Sequence, residues 1–347
     1  METLIELGLE ATKWLQGMYP QWETFMRLFS EFGRFELYLA VVPLVYWCIS
    51  KRLGTHFAYL LIVSTVLNYG FKHLFRQPRP SWVDPALTLS ESESYGFPSG
   101  HVQTATVVFF LLSGWIRENW LWIFSFLYIF LMTLSRIYLG VHFIHDVIGG
   151  FLVSIAILGG YLAWRQYGER RFMERLFGQR LLAVTLVPLA LLVLYLAIIL
   201  LRGEPDETVA WASQLELAER EAMEGVIGFI GVMLATGIGI TLEQSRVCFK
   251  VAGEWWKRVL RYVLGMLVTV AIWAGLRPVF DSIAPPDLLW LALPLRFIRY
   301  FMFGIWVTYY APMAFVMLNL CDHSVEPEVQ FTVAGASLRR KASKKKK

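Results

Sequence analysis

Residues 95–116 read YGFPSGHVQTATVVFFLLSGWI. The second half is a continuous apolar run of the kind that sits in lipid, yet its mouth carries Pro98, Ser99, Gly100 and His101. A hydrocarbon layer of roughly 30 Å needs about 20 residues of helix to cross it. Counted against that length, about nine such runs lie along the chain, at 35–49, 56–75, 101–116, 119–137, 142–164, 181–201, 223–242, 259–276 and 297–320. The whole chain of 347 residues is 56% hydrophobic and only 17% charged, which leaves too little polar surface to wet a soluble enzyme of this size. In lipid every backbone polar group must be satisfied internally, and continuous apolar runs do not fit alternating barrel strands. The expected fold class is therefore all-α, a polytopic membrane helical bundle with about nine transmembrane helices.

Lysine and arginine in short connections report topology, because cytoplasmic loops hold an excess of them. Lys51 and Arg52 follow the first run, Arg117 the third, Arg165, Arg170, Arg171, Arg175 and Arg180 the fifth, and Arg246, Lys250, Lys257, Arg258 and Arg261 the seventh. The C-terminus adds Arg339, Arg340, Lys341 and the lysine run at 344–347. All of these fall on one side, read as cytoplasmic, so the N-terminus and residues 76–98 are expected outside it. A net charge of +5 next to membrane spans is explained by topology and anionic lipid, and nucleic acid is not expected as a partner. Membrane lipids are. Cys48, Cys248 and Cys321 fall at expected cytoplasmic ends and imply no disulfide framework.

Four regions are expected. Residues 1–34 lack a basic start and an apolar h-region, so they read as an extracytoplasmic amphipathic segment on the membrane surface rather than a cleavable signal. Residues 35–165 hold all the polar motifs, 166–322 form additional transmembrane helices beyond an acidic stretch, and 323–347 form a polar, basic cytoplasmic tail.

Ionisable residues near a bilayer are expensive and mark function. Here they gather at three span ends: KHLFRQPRP from Lys72 to Pro80, PSGH from Pro98 to His101, and SRIYLGVHFIHD from Ser135 to Asp146. Lys72, Arg79 and Arg136 suit a phosphate, the arginines as planar forks and the lysine as a point charge. Ser99 and Gly100 open a helix whose first free N–H groups favour an anion. His142 and Asp146 share a helix face, where a carboxylate on one ring nitrogen leaves the other free to attack. His101 is placed to protonate a departing alkoxide. A lone cation at a helix end is more often a snorkelling anchor, and a lone PSGH a turn; the combination on one membrane face weakens both readings.

With this spacing the three segments resemble the three-part signature of the type 2 phosphatidic acid phosphatase and vanadium haloperoxidase superfamily, over about residues 35–165. The resemblance implies that Lys72, Arg79, Ser99, Gly100 and Arg136 bind the phosphate, that His142 forms a phosphohistidine oriented by Asp146, and that His101 is the leaving-group acid. It also implies no metal and no other cofactor. The layout is similar to that of the glucose-6-phosphatases and the sphingosine-phosphate phosphatases, although glucose-6-phosphatases differ at the place of Asp146. A site at the membrane surface favours a lipid phosphate or diphosphate as substrate, with a sugar phosphate as the alternative and non-hydrolytic lipid-phosphate transport or binding as another. The active site is expected to be extracytoplasmic, in the plasma membrane of a bacterium or the endoplasmic reticulum of a eukaryote.

Overall fold

A computed structural model describes residues 2–285 and 288–324; most of the basic tail expected at 323–347 lies outside the described residues. The described residues form helices joined by loops, with one isolated bridge between Phe249 and His323 and no extended strand. Two amphipathic helices come first, α1 (Glu2–Met18) and α2 (Glu23–Glu31). The bundle then runs through α3 (Phe35–Leu44), α4 (Lys51–Phe75), α5 (Gly100–Ile116), α6 (Asn119–Tyr138), α7 (Ile144–Met173), α8 (Phe177–Arg202), α9 (Ala212–Val247), α10 (Trp255–Ile283) and α11 (Leu289–Met317).

Each apolar run expected to span is helical, with ends set by local chemistry. Ser50 caps α4 by accepting from the Leu53 N–H at 3.2 Å, and Arg76 ends it in the left-handed region with φ 50°. Asp146, in the first turn of α7, accepts from the Phe143 N–H at 2.8 Å, satisfying a donor just before the helix. Of the about nine crossings expected, six helices (α6 to α11) are long and apolar enough to cross a membrane on length and composition. The apolar segments Leu37–Ile49 and Gly100–Ile116 are shorter, and α4 interrupts its apolar run with His56, Asn68, Lys72 and His73.

The helices pack in two groups that meet along α4 and α9. In the first, α5 lies against α4, α6 and α7, with Phe57, Val107 and Leu111 in one core and Val102, Met132 and Val147 in another. In the second, α9 is enclosed by α4, α8 and α11, and 78% of its apolar window is buried against 11% for the peripheral α8. Lipid offers no hydrophobic drive between helices, so close approach and dispersion must hold them together. A Cβ on Gly231 would lie 2.9 Å from the Phe297 carbonyl oxygen, and one on Gly304 2.8 Å from the Ala235 Cβ, so α9 and α11 touch backbone to backbone. Outward, Leu186, Val193, Leu200, Ile123, Phe130 and Leu152 are exposed, an apolar surface suited to acyl chains. The protein is a multi-pass membrane protein.

Helices α1 and α2 lie across the end of the bundle where α4 and α6 finish and α5 and α7 begin. Gln16 donates to the carbonyls of Leu87 (3.1 Å) and Tyr138 (2.8 Å), and Ser135 donates to the Met26 carbonyl at 2.9 Å. Their outer face exposes Leu4, Leu7, Trp14, Trp22, Phe25, Leu28 and Phe32, while Thr12 and Ser30 are buried against the bundle. Met26 is buried with them, so these helices bury both apolar and hydroxyl side chains while leaving a row of large apolar ones exposed.

Candidate active site

The up-down path of α4 to α7 brings the three polar segments to one end of the bundle. Lys72 is in the last turn of α4, Arg79 in the following loop, Ser99 at the N-cap of α5, Arg136 in the last turn of α6, and His142 in the tight connection to α7. Ser99 and Asp146 are 0% exposed, Arg79 1%, His142 2%, Arg136 5% and Lys72 6%, so the charges face one another with little water between them. Gly100 and His101 are half-buried and form the more open side.

Two cations share one hydroxyl. Lys72 Nζ donates to Ser94 Oγ at 2.6 Å and Arg79 Nη2 to the same oxygen at 2.9 Å. Arg79 also donates to the backbone carbonyls of Ser94, of Tyr95 at 3.0 Å and of Val141 at 2.6 Å. Its Nη1 lies 3.3 Å from His142 Nε2. A guanidinium has donors and no acceptor, so Nε2 carries the ring's lone pair and the proton belongs on Nδ1, which faces Asp146 Oδ2 at 3.4 Å. Asp146 is shared: the same oxygen holds the Phe143 N–H, and the contact to His142 is correspondingly long. His145 Nε2 lies 3.3 Å from Asp146 Oδ1 but is bonded to Gln77 Oε1 at 2.9 Å.

The electrostatics follow. Burial, then the positive charges of Arg79, Arg136 and Lys72 and that of His101 when protonated, push the His142 pKa well below the ordinary imidazole value. Burial lowers Arg79 to about 10, opposed by the carboxylates of Glu221 and Asp146, so its guanidinium stays charged at neutral pH.

The PSG turn is held from two sides. Asn68 Nδ2 donates to the Pro98 carbonyl at 3.1 Å and to Gln103 Oε1 at 2.9 Å, and the Ser99 N–H donates to the Asp146 carbonyl at 3.0 Å. Asn68 therefore fixes the turn. A Cβ on Gly150 would lie 2.6 Å from the Ser99 carbonyl oxygen, so α7 presses directly on this turn. Among the described residues of the site, the acceptor Asp146 Oδ1 and two donors, Ser99 Oγ and Arg136 Nε, are buried without a hydrogen-bond partner. A buried orphan polar group is unfavourable by about 1–3 kcal/mol, and two donors in one cationic pocket suit an anion that takes both.

The family model of the PAP2 superfamily matches residues 53–171, and that of the PAP2 superfamily phosphatase transmembrane extension matches residues 227–323. A putative undecaprenyl-diphosphatase of Escherichia coli is 30% identical over 145 residues, 39% of this chain and 72% of that protein. The chain belongs to the PAP2 superfamily. Sphingosine-1-phosphate phosphatase 2 of Mus musculus is 27% identical over 147 residues, 40% of this chain and 41% of its own length. An undecaprenyl-diphosphatase of Sulfolobus acidocaldarius is 31% identical over 135 residues, 37% of this chain and 64% of that protein. No solved structure gives a significant match.

Within this PAP2 framework the structure adds residues that the motifs omit. Ser94 lies in a Ser- and Glu-rich loop with no signal of its own. Ser30 accepts from Arg136 Nη1, and a Cβ on Gly33 would lie 2.5 Å from His101 Cδ2, so α2 and the residues after it wall the site. Residues 1–34, expected only as a surface segment, thus touch two site residues. His73, beside Lys72 in the chain, bonds away from the cationic pocket, to Tyr195 and Glu219.

Proposed function

We propose that the chain is an integral membrane phosphatase that hydrolyses a phosphomonoester or diphosphate of a lipid through a phosphohistidine intermediate. The observation that carries the reading is the neutral Nε2 of His142 held 3.3 Å from Arg79, within the cationic ring of Lys72, Arg79 and Arg136. A site that only bound phosphate would need the cations but not a neutral imidazole among them.

In this reading the phosphoryl group enters between the cations, with Ser99 Oγ and the N-terminus of α5 at its oxygens. His142 Nε2 attacks phosphorus as the P–O bond to the lipid breaks. His101 gives its proton to the leaving oxygen, then takes one from the water that cleaves the P–N bond and releases phosphate. Asp146 accepts a hydrogen bond from the Nδ1–H, which stays on the ring, and its charge stabilises the positive imidazolium as the P–N bond forms. Charge on the transferring group is met by the guanidinium, ammonium and backbone donors.

A lipid is favoured because the pocket lies at the end of helices whose outer faces suit acyl chains, and because the similar proteins are named for sphingosine phosphate and undecaprenyl diphosphate. The chain spans 41% and 64% of the lengths of these two relatives, so their substrates are candidates rather than assignments. The loop cations favour an extracytoplasmic site, with 35–165 as the catalytic core. The test is phosphate release from phosphatidic acid, a prenyl diphosphate, sphingosine phosphate and glucose phosphate in detergent with a chelator present. Release from a lipid substrate that vanishes in His142→Ala supports the proposal; release from glucose phosphate alone, or lipid movement without phosphate release, overturns it.

A further inference from the structure

α9 is long: its 36 residues span about 54 Å at ~1.5 Å per residue, well beyond a ~30 Å hydrocarbon layer. Its first turns therefore project toward the end that holds the site, and they carry Glu219. Both oxygens of this carboxylate are doubly engaged. Oε1 accepts from Tyr95 OH at 2.6 Å and Arg76 Nε at 2.8 Å; Oε2 accepts from Arg76 Nη2 at 2.9 Å and faces His73 Nε2 at 2.6 Å. The other ring nitrogen of His73 lies 2.8 Å from Tyr195 OH on α8. One side chain of the second helix group thus gathers three residues of the first.

Tyr95 connects this cluster to the cations. Its carbonyl accepts from Arg79 Nη2, and its neighbour Ser94 takes Lys72 Nζ and two Arg79 donors. The Tyr95 ring is fully buried and packs edge-on to Trp82, so its hydroxyl and its carbonyl are rigidly related. We propose that Glu219 is a positioning residue of the active site: through Tyr95 it holds residues 94 and 95 in the place where Lys72 and Arg79 converge on His142. The inference rests on the phosphatase reading above and extends it to the C-terminal helices. Burial, then the Glu219 carboxylate, raises the Tyr95 pKa well above the ordinary phenol value, so the hydroxyl remains a donor across the working range.

A purely structural tether and a positioning tether differ in what their loss changes. The experiment uses the full chain in detergent, the lipid phosphate it hydrolyses, and inorganic phosphate as an inhibitor. Tyr95→Phe removes one hydroxyl and keeps the ring. Tyr95→Phe and Glu219→Gln are each expected to raise KM and the phosphate inhibition constant about tenfold, with kcat within about twofold, as for a lost hydrogen bond to a charged group. The double variant is expected to be no worse than the worse single, because both cut the same bond. Unchanged KM and phosphate inhibition in Tyr95→Phe would overturn the inference, as would a double variant whose effects simply add. If Glu219→Gln does not fold, Tyr95→Phe decides alone. Failure of the parent reading shows differently: the unmodified chain would then release no phosphate from any lipid.

Discussion

Arg79 Nη1 rests 3.3 Å from His142 Nε2, so the lone pair of that ring nitrogen is covered by a donor. That contact disfavours protonation of the ring, in the same direction as burial. Above about pH 6.5 the ring is neutral in both folded and unfolded chains. Below it the unfolded chain takes up a proton that the folded ring refuses, so stability declines as pH falls toward the depressed folded value. On the proposed reading, His142 as nucleophile stays in its reactive form over that window. The acid limb of kcat/KM is therefore expected below pH 6.5, and a limb centred at or above it would contradict the assignment of His142.

His142 and His101 should separate by leaving group. His142→Ala is expected to lose essentially all turnover. His101→Ala should lose about 10²–10⁴-fold on an alkyl phosphate, where the departing alkoxide needs a proton. The loss should shrink to a few-fold on an aryl phosphate whose leaving group is already a good anion. Equal losses on both substrates, measured as kcat/KM, would remove His101 from the acid role.

Ser30 is the partner of Arg136 from outside the motif segments. Ser30→Ala leaves a buried guanidinium less constrained, and about a tenfold weakening of phosphate inhibition is expected from the loss of a hydrogen bond to a charged group. The check is the inhibition constant together with the melting temperature in detergent. A fall in melting temperature with unchanged inhibition would make Ser30 a fold contact only.

Gly150→Ala puts a methyl group 2.6 Å from the Ser99 carbonyl oxygen, a backbone atom that cannot swing away. Overpacking of this kind destabilises by about 1–3 kcal/mol. The displaced turn should also bind phosphate more weakly, because Ser99 and Gly100 would move with it. Gly159→Ala on the same helix meets nothing within 4 Å and serves as the control expected to change neither quantity.

The bundle and the three site segments were legible because each has a strong local signature: long apolar runs for the helices, and fixed spacings such as His142 to Asp146 for the site. The role of Asn68 on the PSG turn was not legible, since helical spacing shows which face a residue shares and not which neighbouring turn its amide reaches. Ser94, Ser30 and Glu219 had no such signature. Each acts through a contact far along the chain, as Ser30 does on Arg136 and Glu219 on Tyr95, and an ordinary serine or glutamate in a polar stretch carries no periodicity that would announce it. The crossing count was readable only in outline, because α4 is diluted by the polar residues the site requires.

The N-terminal helices bury Met26, Thr12 and Ser30 against the bundle and expose Leu4, Leu7, Trp14, Phe25 and Leu28 on the other side. The wall of the pocket that carries Ser30 thus has exposed apolar side chains on its far side, and on the proposed reading these rest on lipid. Stripping the annular lipid, or choosing a micelle too small to seat Trp14, Phe25 and Leu28, would loosen Ser30 from Arg136 without touching any residue of the signature. On the proposed reading, phosphate release is then expected to depend on the solubilising medium as well as on the signature residues.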